Sequence, residues 1–141
     1  MRVKDVTIDA SGLERTLKNA PRDIGKKLQK SLLKTAQFGT QIILDRTERG
    51  IGYKGKFERY SAGYAKFRSK KGRGSVPDLN FSGRMLGSIQ QKNESRNIAR
   101  IYFGRAAEAK KAAFNDELRP FFGFNSIEKN RLRRFFNRDF K

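Results

Sequence analysis

Side chains able to carry acid–base, nucleophilic or metal chemistry are scarce in this sequence, since its 141 residues include neither His nor Cys. Nucleophile pairs of the Ser–His or Cys–His kind are therefore excluded, and so are thiolate metal sites. Asp45 and Glu48 lie one helical turn apart, which could suit a metal ion. Hard cations, however, bind several oxygen ligands from separate segments, and a pair beside Arg46 and Arg49 is more typical of a solvated ion-pair surface. We predict no catalytic residue, no metal site and no cofactor.

Two groups of glycines have the look of phosphate-cradling loops, namely Gly50, Gly52 and Gly55, and then Gly72 and Gly74. Neither group follows a strand and opens a helix, as the glycines of P-loop and dinucleotide-binding motifs do. A pliable Gly-rich segment is the favoured interpretation, and we do not expect nucleotide binding.

A basic and aromatic segment occupies about residues 50–80. Its cations, which could neutralise phosphates, are Lys54, Lys56, Arg59, Lys66, Arg68, Lys70, Lys71 and Arg73. The aromatic residues that interleave with them are Tyr53, Phe57, Tyr60, Tyr64 and Phe67. Two partners fit this composition: nucleic acid, with the rings stacked on bases, or an acidic protein neighbour whose pockets accept the rings. The cations are candidate contacts to either partner, and the aromatic residues are candidate subunit-interface residues.

The net charge of +19 arises from 33 Lys and Arg against 14 Asp and Glu. Such an excess repels itself in a compact state and is normally balanced by an anionic partner. The apolar content of 36% is low, but 12 Phe and 4 Tyr argue against a disordered chain. We expect a modest core of aromatic residues, Leu and Ile.

The sequence also bears on the compartment in which the protein is made. It has no run of about 18 apolar residues, as a transmembrane helix requires, and its first residues lack the apolar region of a signal peptide. The absence of Cys suits a reducing cytoplasm. We expect cytoplasmic synthesis and no membrane partner.

Apolar periodicity predicts the elements of the first half of the chain. Residues 3–9 alternate as a short edge strand, and Ser11 with Glu14 has capping-box spacing for a short helix over 13–18. A long helix is predicted over 21–48. Its inward residues are Ile24, Leu28, Leu32, Ala36 and Ile43, and its solvent-facing residues are Lys26, Lys27, Lys30 and Lys34.

Beyond residue 50 the pattern predicts an extended arm over about 50–80 that holds one helix at 61–70. A short helix at 83–89 capped by Ser82, a hairpin of 89–93 with 97–104, and a helix at 105–118 follow. The final helix, 127–140, is predicted to be capped by Ser126 and to turn Ile127, Leu132, Phe135 and Phe136 inward. Its cations, interpreted as a solvated face, are Lys129, Arg131, Arg133, Arg134 and Arg138. The prediction is a single α+β domain, with a long N-terminal helix and a C-terminal helix packed on a small antiparallel sheet.

Three short elements follow one another in a recognisable order after the long helix. The first, 57–64, has the pattern F-x-x-Y-S-x-x-Y; the second, 82–89, reads SGRMLGSI; the third, 119–123, reads RPFFG. This order resembles the virion-morphogenesis and tail-completion proteins of tailed bacteriophages. In that family the second element reads T/S-G-x-[LM]-x-x-S-[IL], and the third contains R-P-[FY]-[FIL]-G.

The resemblance covers about residues 20–137 and implies a structural protein without catalysis. It implies a homo-oligomeric ring of about six or twelve copies at the head–tail junction of the virion, as a neck, connector, tail-completion or tail-terminator subunit around the DNA channel. The implied partners are neighbouring neck, portal-adaptor or tail proteins, with genomic DNA as a further candidate. The chain departs from the family pattern at 113–115, where a His-Gln pair is frequent, and in its high charge.

Two other classes of function remain open from the sequence. The first is a nucleic-acid-binding protein without sequence preference, which would use the net charge directly. The second is an enzyme, such as a metal-dependent nuclease that uses Asp45. High-salt binding to one particular sequence would instead indicate a dedicated DNA-binding protein, and metal-dependent cleavage would favour the second class.

Overall fold

The structure is a computed structural model that describes residues 3–13, 22–80 and 82–140. The α-helices in these residues are α1 (Arg22–Glu48), α2 (Ala62–Lys70), α3 (Arg84–Gly87), α4 (Ala106–Leu118) and α5 (Ser126–Phe140). The strands are β1 (Val6–Asp9), β2 (Ile51–Gly52), β3 (Gly55–Lys56), β4 (Ile89–Ser95) and β5 (Ile98–Phe103). The predicted α+β class, with a long N-terminal helix, a C-terminal helix and a small antiparallel sheet, is confirmed.

Helix α1 follows the apolar period of its sequence. Leu28, Leu32, Ala36 and Ile43 are buried, whereas the four lysines predicted to face solvent are exposed. The helix ends two residues before Gly50, whose φ of 75° lies in the left-handed region that glycine adopts at little cost. The helix predicted over 21–48 is confirmed over its described residues, 22–48.

The main sheet has the strand order β1-β5-β4, so β5 is its central strand. β1 pairs antiparallel with β5, with Val6 opposite Ile101 and Asp9 opposite Ile98. Along β5, Ala99, Ile101 and Phe103 are buried, and the residues between them are partly exposed. The edge position predicted for the first strand is confirmed.

The described residues form two compact units. The first unit comprises the described parts of Met1–Lys4, Ile43–Ser88 and Phe103–Gly123, and the second comprises those of Asp5–Ile42, Ile89–Tyr102 and Phe124–Lys141. Helix α1 contributes residues to both units. The expectation of a single domain stays a prediction.

Segment 50–80 is folded, contrary to the extended arm predicted from its sequence. It contains the β2–β3 hairpin and α2, and it buries Phe57 and Arg68 in the first unit. The amide of Tyr53 donates to the carbonyl of Pro120 at 3.2 Å, which ties the hairpin to a distant part of the chain. The helix predicted over 61–70 is confirmed, and the Ser61 side chain accepts from the Tyr64 amide as its N-cap. Long-range contacts invisible in the local pattern explain why the extended conformation is wrong.

Helix α5 begins with a reciprocal cap that differs from the predicted one. The Asn125 side chain accepts from the Glu128 amide at 2.8 Å, and the Glu128 carboxylate accepts from the Asn125 amide at 3.0 Å. The cap is therefore Asn125 rather than Ser126. Leu132 is buried as predicted, but Ile127 is 72% exposed, so its assignment to the apolar face is wrong.

At the N-terminus, residues Ser11–Leu13 form a single 3-10 turn. The remainder of the short helix predicted over 13–18 lies outside the described residues. None of the helices in the described ranges combines the length and the apolar character needed to cross a membrane.

Candidate functional site

Arg119, from the third sequence element, is anchored by backbone carbonyls of segment 50–80. Its Nε donates to the carbonyl of Glu58 at 2.7 Å and its Nη2 to the carbonyl of Arg59 at 2.9 Å. The side chain is 8% exposed. The planar guanidinium suits this arrangement because its donors diverge at fixed angles, which a lysine ammonium cannot reproduce.

Arg68 of α2 is the most enclosed cation of the same unit, at 1% exposure. Its Nη2 donates to Asp78 Oδ1 at 2.9 Å and its Nε to the carbonyl of Gly74 at 3.1 Å. Burial by itself lowers the pKa of Arg68, but the Tyr64 hydroxyl, Asp78 and Tyr60 offset this effect, and the net pKa lies above its ordinary value. Arg68 therefore remains charged while it holds the 74–80 loop against α2.

Tyr60 lies close to both guanidinium groups. The Arg119 and Arg68 guanidinium carbons are 4.7 and 4.9 Å from its ring centroid, within the range of cation–π attraction. Its hydroxyl accepts from the amide of Leu79 at 3.0 Å, and Leu79 adopts a left-handed φ of 56°. Burial raises the pKa of Tyr60, and the hydrogen bond from Leu79 opposes this in part.

The third sequence element, 119–123, is fixed by two charged side chains. Asp116 Oδ1 accepts from the amides of Phe121 and Phe122 at 3.0 and 2.9 Å. From α1, Arg46 Nη2 donates to the carbonyl of Phe121 at 3.0 Å and also to that of Gly123. Both charged side chains thus form hydrogen bonds with backbone groups of an irregular segment. Without these partners, burial of the backbone groups would lower the free energy of unfolding considerably.

Close backbone approach explains one glycine in the hairpin. A Cβ at Gly52 would overlap the carbonyl oxygen of Pro120 and come within 2.6 Å of the Phe57 ring. Phe57 is itself buried, at 6% exposure. The glycine therefore permits the hairpin to lie directly on 119–123, rather than serving a phosphate.

A cavity of about 510 Å³ opens beside this cluster in the first unit. Glu108 and Lys111 of α4 form an ion pair at 3.3 Å on its wall. All three sequence elements contribute to its lining, which consists of Tyr60, Ser61, Tyr64, Arg68, Leu79, Ser82, Gly83, Met85, Glu108, Lys111, Asn115 and Arg119.

The second sequence element, 82–89, begins with a tight turn. Gly83 has φ 81°, a conformation that residues with a side chain rarely adopt, and it forms the N-cap of α3. The predicted cap, Ser82, makes a long contact of 3.4 Å with the amide of Arg84. Met85 of α3 is buried, so the turn directs this side chain inward, and the helix covers 84–87 rather than the predicted 83–89.

The structure separates the predicted contact residues into two groups. The exposed cations are Lys54, Lys56, Arg59, Lys66, Lys70, Lys71 and Arg73. Arg68 does not belong with them, since its side chain is buried and bound to Asp78. The prediction that Arg68 contacts a partner is therefore wrong, because the buried side chain cannot reach one.

The predicted interface aromatics divide in the same way. Tyr64 and Phe67 are 38% and 45% exposed, and Tyr53 and Tyr60 are half-buried. Phe57 packs inside the first unit, so its assignment as an interface residue is also corrected. Tyr64 and Phe67 are the two of these five that expose more than a third of their area.

Asp45 and Glu48 are both exposed on the last turns of α1. In the ranges that the structure describes, no three His, Cys, Asp or Glu side chains form a group able to hold a metal ion. Sequence reasoning did not identify Arg46 and Asp116 as anchors of 119–123. Arg46 carried one signal, because it lies on the inward side of an amphipathic helix where a solvated Arg is not expected.

Comparisons with known proteins add no information on the site. No protein-family model, no curated protein and no solved structure matches this chain.

Proposed function

We propose that this chain is a structural, non-enzymatic virion protein of a tailed bacteriophage. In this proposal it forms a homo-oligomeric ring of about six or twelve copies at the head–tail junction and joins head to tail around the DNA channel. Its neighbours are other copies of itself and adjoining neck, portal-adaptor or tail proteins.

The observation that carries the proposal is the convergence of the three sequence elements on which the family resemblance rests. Tyr60 of the first element, Ser82 of the second and Arg119 of the third line the same cavity. Arg119 also binds carbonyls of the first element directly. Elements that are far apart in sequence thus meet in one folded unit. This supports the interpretation that their order along the chain reflects a fold shared with the family that the sequence resembles.

The use of charge in this unit supports a structural role. Arg46 and Arg119 donate to backbone carbonyls, and Asp116 accepts from backbone amides. Charged groups committed to irregular backbone stabilise a conformation and have few lone pairs or protons left for a substrate. A protein whose function is to present a fixed surface to neighbours fits this pattern.

The exposed surface supports the oligomeric part of the proposal. Tyr64 and Phe67 stack at 6.2 Å on α2, and both present more than a third of their area to solvent. Exposed aromatic pairs are typical anchors at protein interfaces. A second copy or a neighbouring ring protein would bury them.

The test is localisation on particles. Gold-labelled antibodies raised against the purified chain would be applied to tailed particles from a lysate of cells carrying the gene and imaged by electron microscopy. We expect label at the junction between head and tail. Label on the capsid shell or tail fibres only, or particles that form normally when the gene is deleted, would contradict the proposal.

The enzymatic alternative has its own test. Plasmid, RNA and nucleotides would be incubated with the purified protein in Mg²⁺ and in Mn²⁺. We expect no cleavage. Cleavage that disappears in Asp45→Ala would assign the chain to the nucleases instead.

A further inference from the structure

A basic ridge of six cations lies on the second unit, where α1 and α5 pack side by side. The ridge consists of Lys27, Lys30 and Lys34 on α1 and of Arg131, Arg134 and Arg138 on α5. All six side chains are exposed. None of them belongs to the basic segment 50–80.

The packing of the two helices is defined by contacts along their length. Phe38 stacks on Phe135 with ring centroids 4.8 Å apart, and the Ser31 hydroxyl donates to Asp139 at 2.7 Å. Lys27 lies over Phe140, at 6.0 Å from its ring centroid. Residue numbers rise along α1 as they fall along α5, so the helices run antiparallel.

Three of the six cations lie on each helix, next to this helix–helix contact. On each helix they occur at intervals of three and four residues, which places them in one stripe. Lys34 forms an ion pair with Asp139 at 3.4 Å, and Arg131 lies 5.6 Å from the Phe38 ring centroid. The two stripes are therefore adjacent and together form one surface.

Both acidic residues of α5 are already engaged in other contacts. The Asp139 carboxylate lies between the stripes but is already bound to Ser31 and Lys34. Glu128 is buried and accepts from the Asn125 amide at the start of α5. The other cations of the ridge repel one another, and an anionic partner would reduce this repulsion.

We infer that the ridge binds the phosphate backbone of duplex DNA without sequence preference. The end cations of each stripe are seven positions apart, which at about 1.5 Å per residue is roughly 10 Å of helix. One strand of B-DNA presents about three phosphates over that length. Three cations on each of two adjacent helices match this density of charge.

The composition of the ridge favours DNA over an acidic protein. The centres of protein interfaces are depleted in charged residues and enriched in aromatic side chains. Here the aromatic rings of Phe38 and Phe135 are stacked against each other in the helix contact, and the ridge itself is formed by cations. The inference stands independently of the proposed virion role, because it concerns the surface of a single chain.

The experiment compares two triple variants that lose equal charge. The ridge variant is Lys30→Gln, Arg134→Gln and Arg138→Gln; the matched control, at exposed positions of the first unit outside segment 50–80, is Lys4→Gln, Arg105→Gln and Lys110→Gln. Affinity for a short duplex of random sequence is measured by fluorescence anisotropy between about 50 and 200 mM salt. Each phosphate contact contributes about 0.9 to the slope of log affinity against log salt, so the ridge variant should lower the slope by about 2.7.

The control should change the slope by less than about 1, since its cations lie outside the ridge. Equal losses in the two variants would overturn the inference, because binding would then follow net charge alone. An unchanged slope in the ridge variant would also overturn it, and weaker binding of polyglutamate by that variant would assign the ridge to an acidic protein. If the triple variant does not fold, as judged by circular dichroism, Arg134→Gln alone should lower the slope by about 0.9.

Discussion

The guanidinium carbon of Arg119 lies 4.7 Å from the ring centroid of Tyr60. The same guanidinium donates to the carbonyls of the two residues that precede Tyr60 in the chain. One side chain of the third sequence element thus fixes both the backbone and the ring of the first. Because this contact joins segments 60 residues apart, it should control the stability of the first unit.

Arg119→Lys should destabilise the protein although it keeps the charge. A lysine ammonium cannot donate to both carbonyls in the geometry of the guanidinium, and charged hydrogen bonds of this kind contribute about 1.5 to 3 kcal/mol. We expect a loss of that size in the free energy of unfolding, measured by urea denaturation. Arg59→Lys, at an exposed position, is the control and should change stability by less than about 0.5 kcal/mol.

Tyr60→Phe tests the hydroxyl that accepts from the Leu79 amide. Removing it leaves a buried amide without this partner, which costs about 1 to 3 kcal/mol. Tyr102→Phe, which removes an exposed hydroxyl 3.2 Å from Gln90, should have a much smaller effect. Equal losses of unfolding free energy in the two variants would show that the hydrogen bond from the Leu79 amide contributes no more to stability than a surface hydrogen bond.

The raised pKa of Tyr60 also predicts a dependence on alkaline pH. The folded state favours the neutral phenol, so this contribution to stability is fully present below the unfolded pKa of about 10. It is lost as the pH rises through the folded value. The difference in unfolding free energy between wild type and Tyr60→Phe should therefore shrink above about pH 10. A constant difference, measured by denaturation at several alkaline pH values, would contradict the shift.

Gly52→Ala should disrupt the contact between the hairpin and 119–123. The added methyl group would overlap the Pro120 carbonyl oxygen, and we expect a loss of about 3 kcal/mol or more because backbone on both sides must move. Gly63→Ala in α2 is the matched control, since nothing lies within 4 Å of its added Cβ. It should raise stability by about 0.5 to 1 kcal/mol through helix propensity. Thermal denaturation of the two variants should show opposite signs.

Ser31→Ala should weaken the second unit at neutral pH. The Ser31 hydroxyl is the main cause of the lowered pKa of Asp139, ahead of the nearby lysines. A depressed carboxylate pKa gives stability that is present above the unfolded value of about 3.9 and is lost as the pH falls through the folded value. The destabilisation by Ser31→Ala should therefore be larger at pH 7 than at about pH 2. Asp139→Asn should remove this dependence of stability on acidic pH. If that variant retains the dependence, another carboxylate is its cause.

The helices and the main sheet could be predicted from the sequence because each has a strong local period. Leu28, Leu32 and Ala36 mark the buried side of α1, and Ala99 and Ile101 mark that of β5. Local patterns also explain the errors at the end of the chain. Asn125 and Ser126 are adjacent residues that both favour helix caps, and Ile127 is apolar but lies in the first turn, outside the buried stripe that Leu132 defines.

The candidate site was harder to predict because its contacts are long-range. Phe57 and Arg68 looked like members of an exposed basic segment, since glycines and cations surround them in the sequence. Their burial depends on Asp78 and on the hairpin lying against 119–123. Residue types identified Arg119 as part of a motif, but only the fold shows that its partners are the carbonyls of Glu58 and Arg59.

The position of β1 at the edge of β5 has a consequence for synthesis of the chain. Asp5 and Arg100, whose side chains bond at 3.2 Å beside this pairing, are 95 residues apart. At about 5 to 20 residues per second, β1 leaves the ribosome on the order of 5 to 20 s before its partner strand exists. During that interval β1 is an unpaired strand, because the only strand with which it pairs in the described residues has not been made. The main sheet can therefore be completed only late in synthesis, after the chain up to Phe103 has left the ribosome.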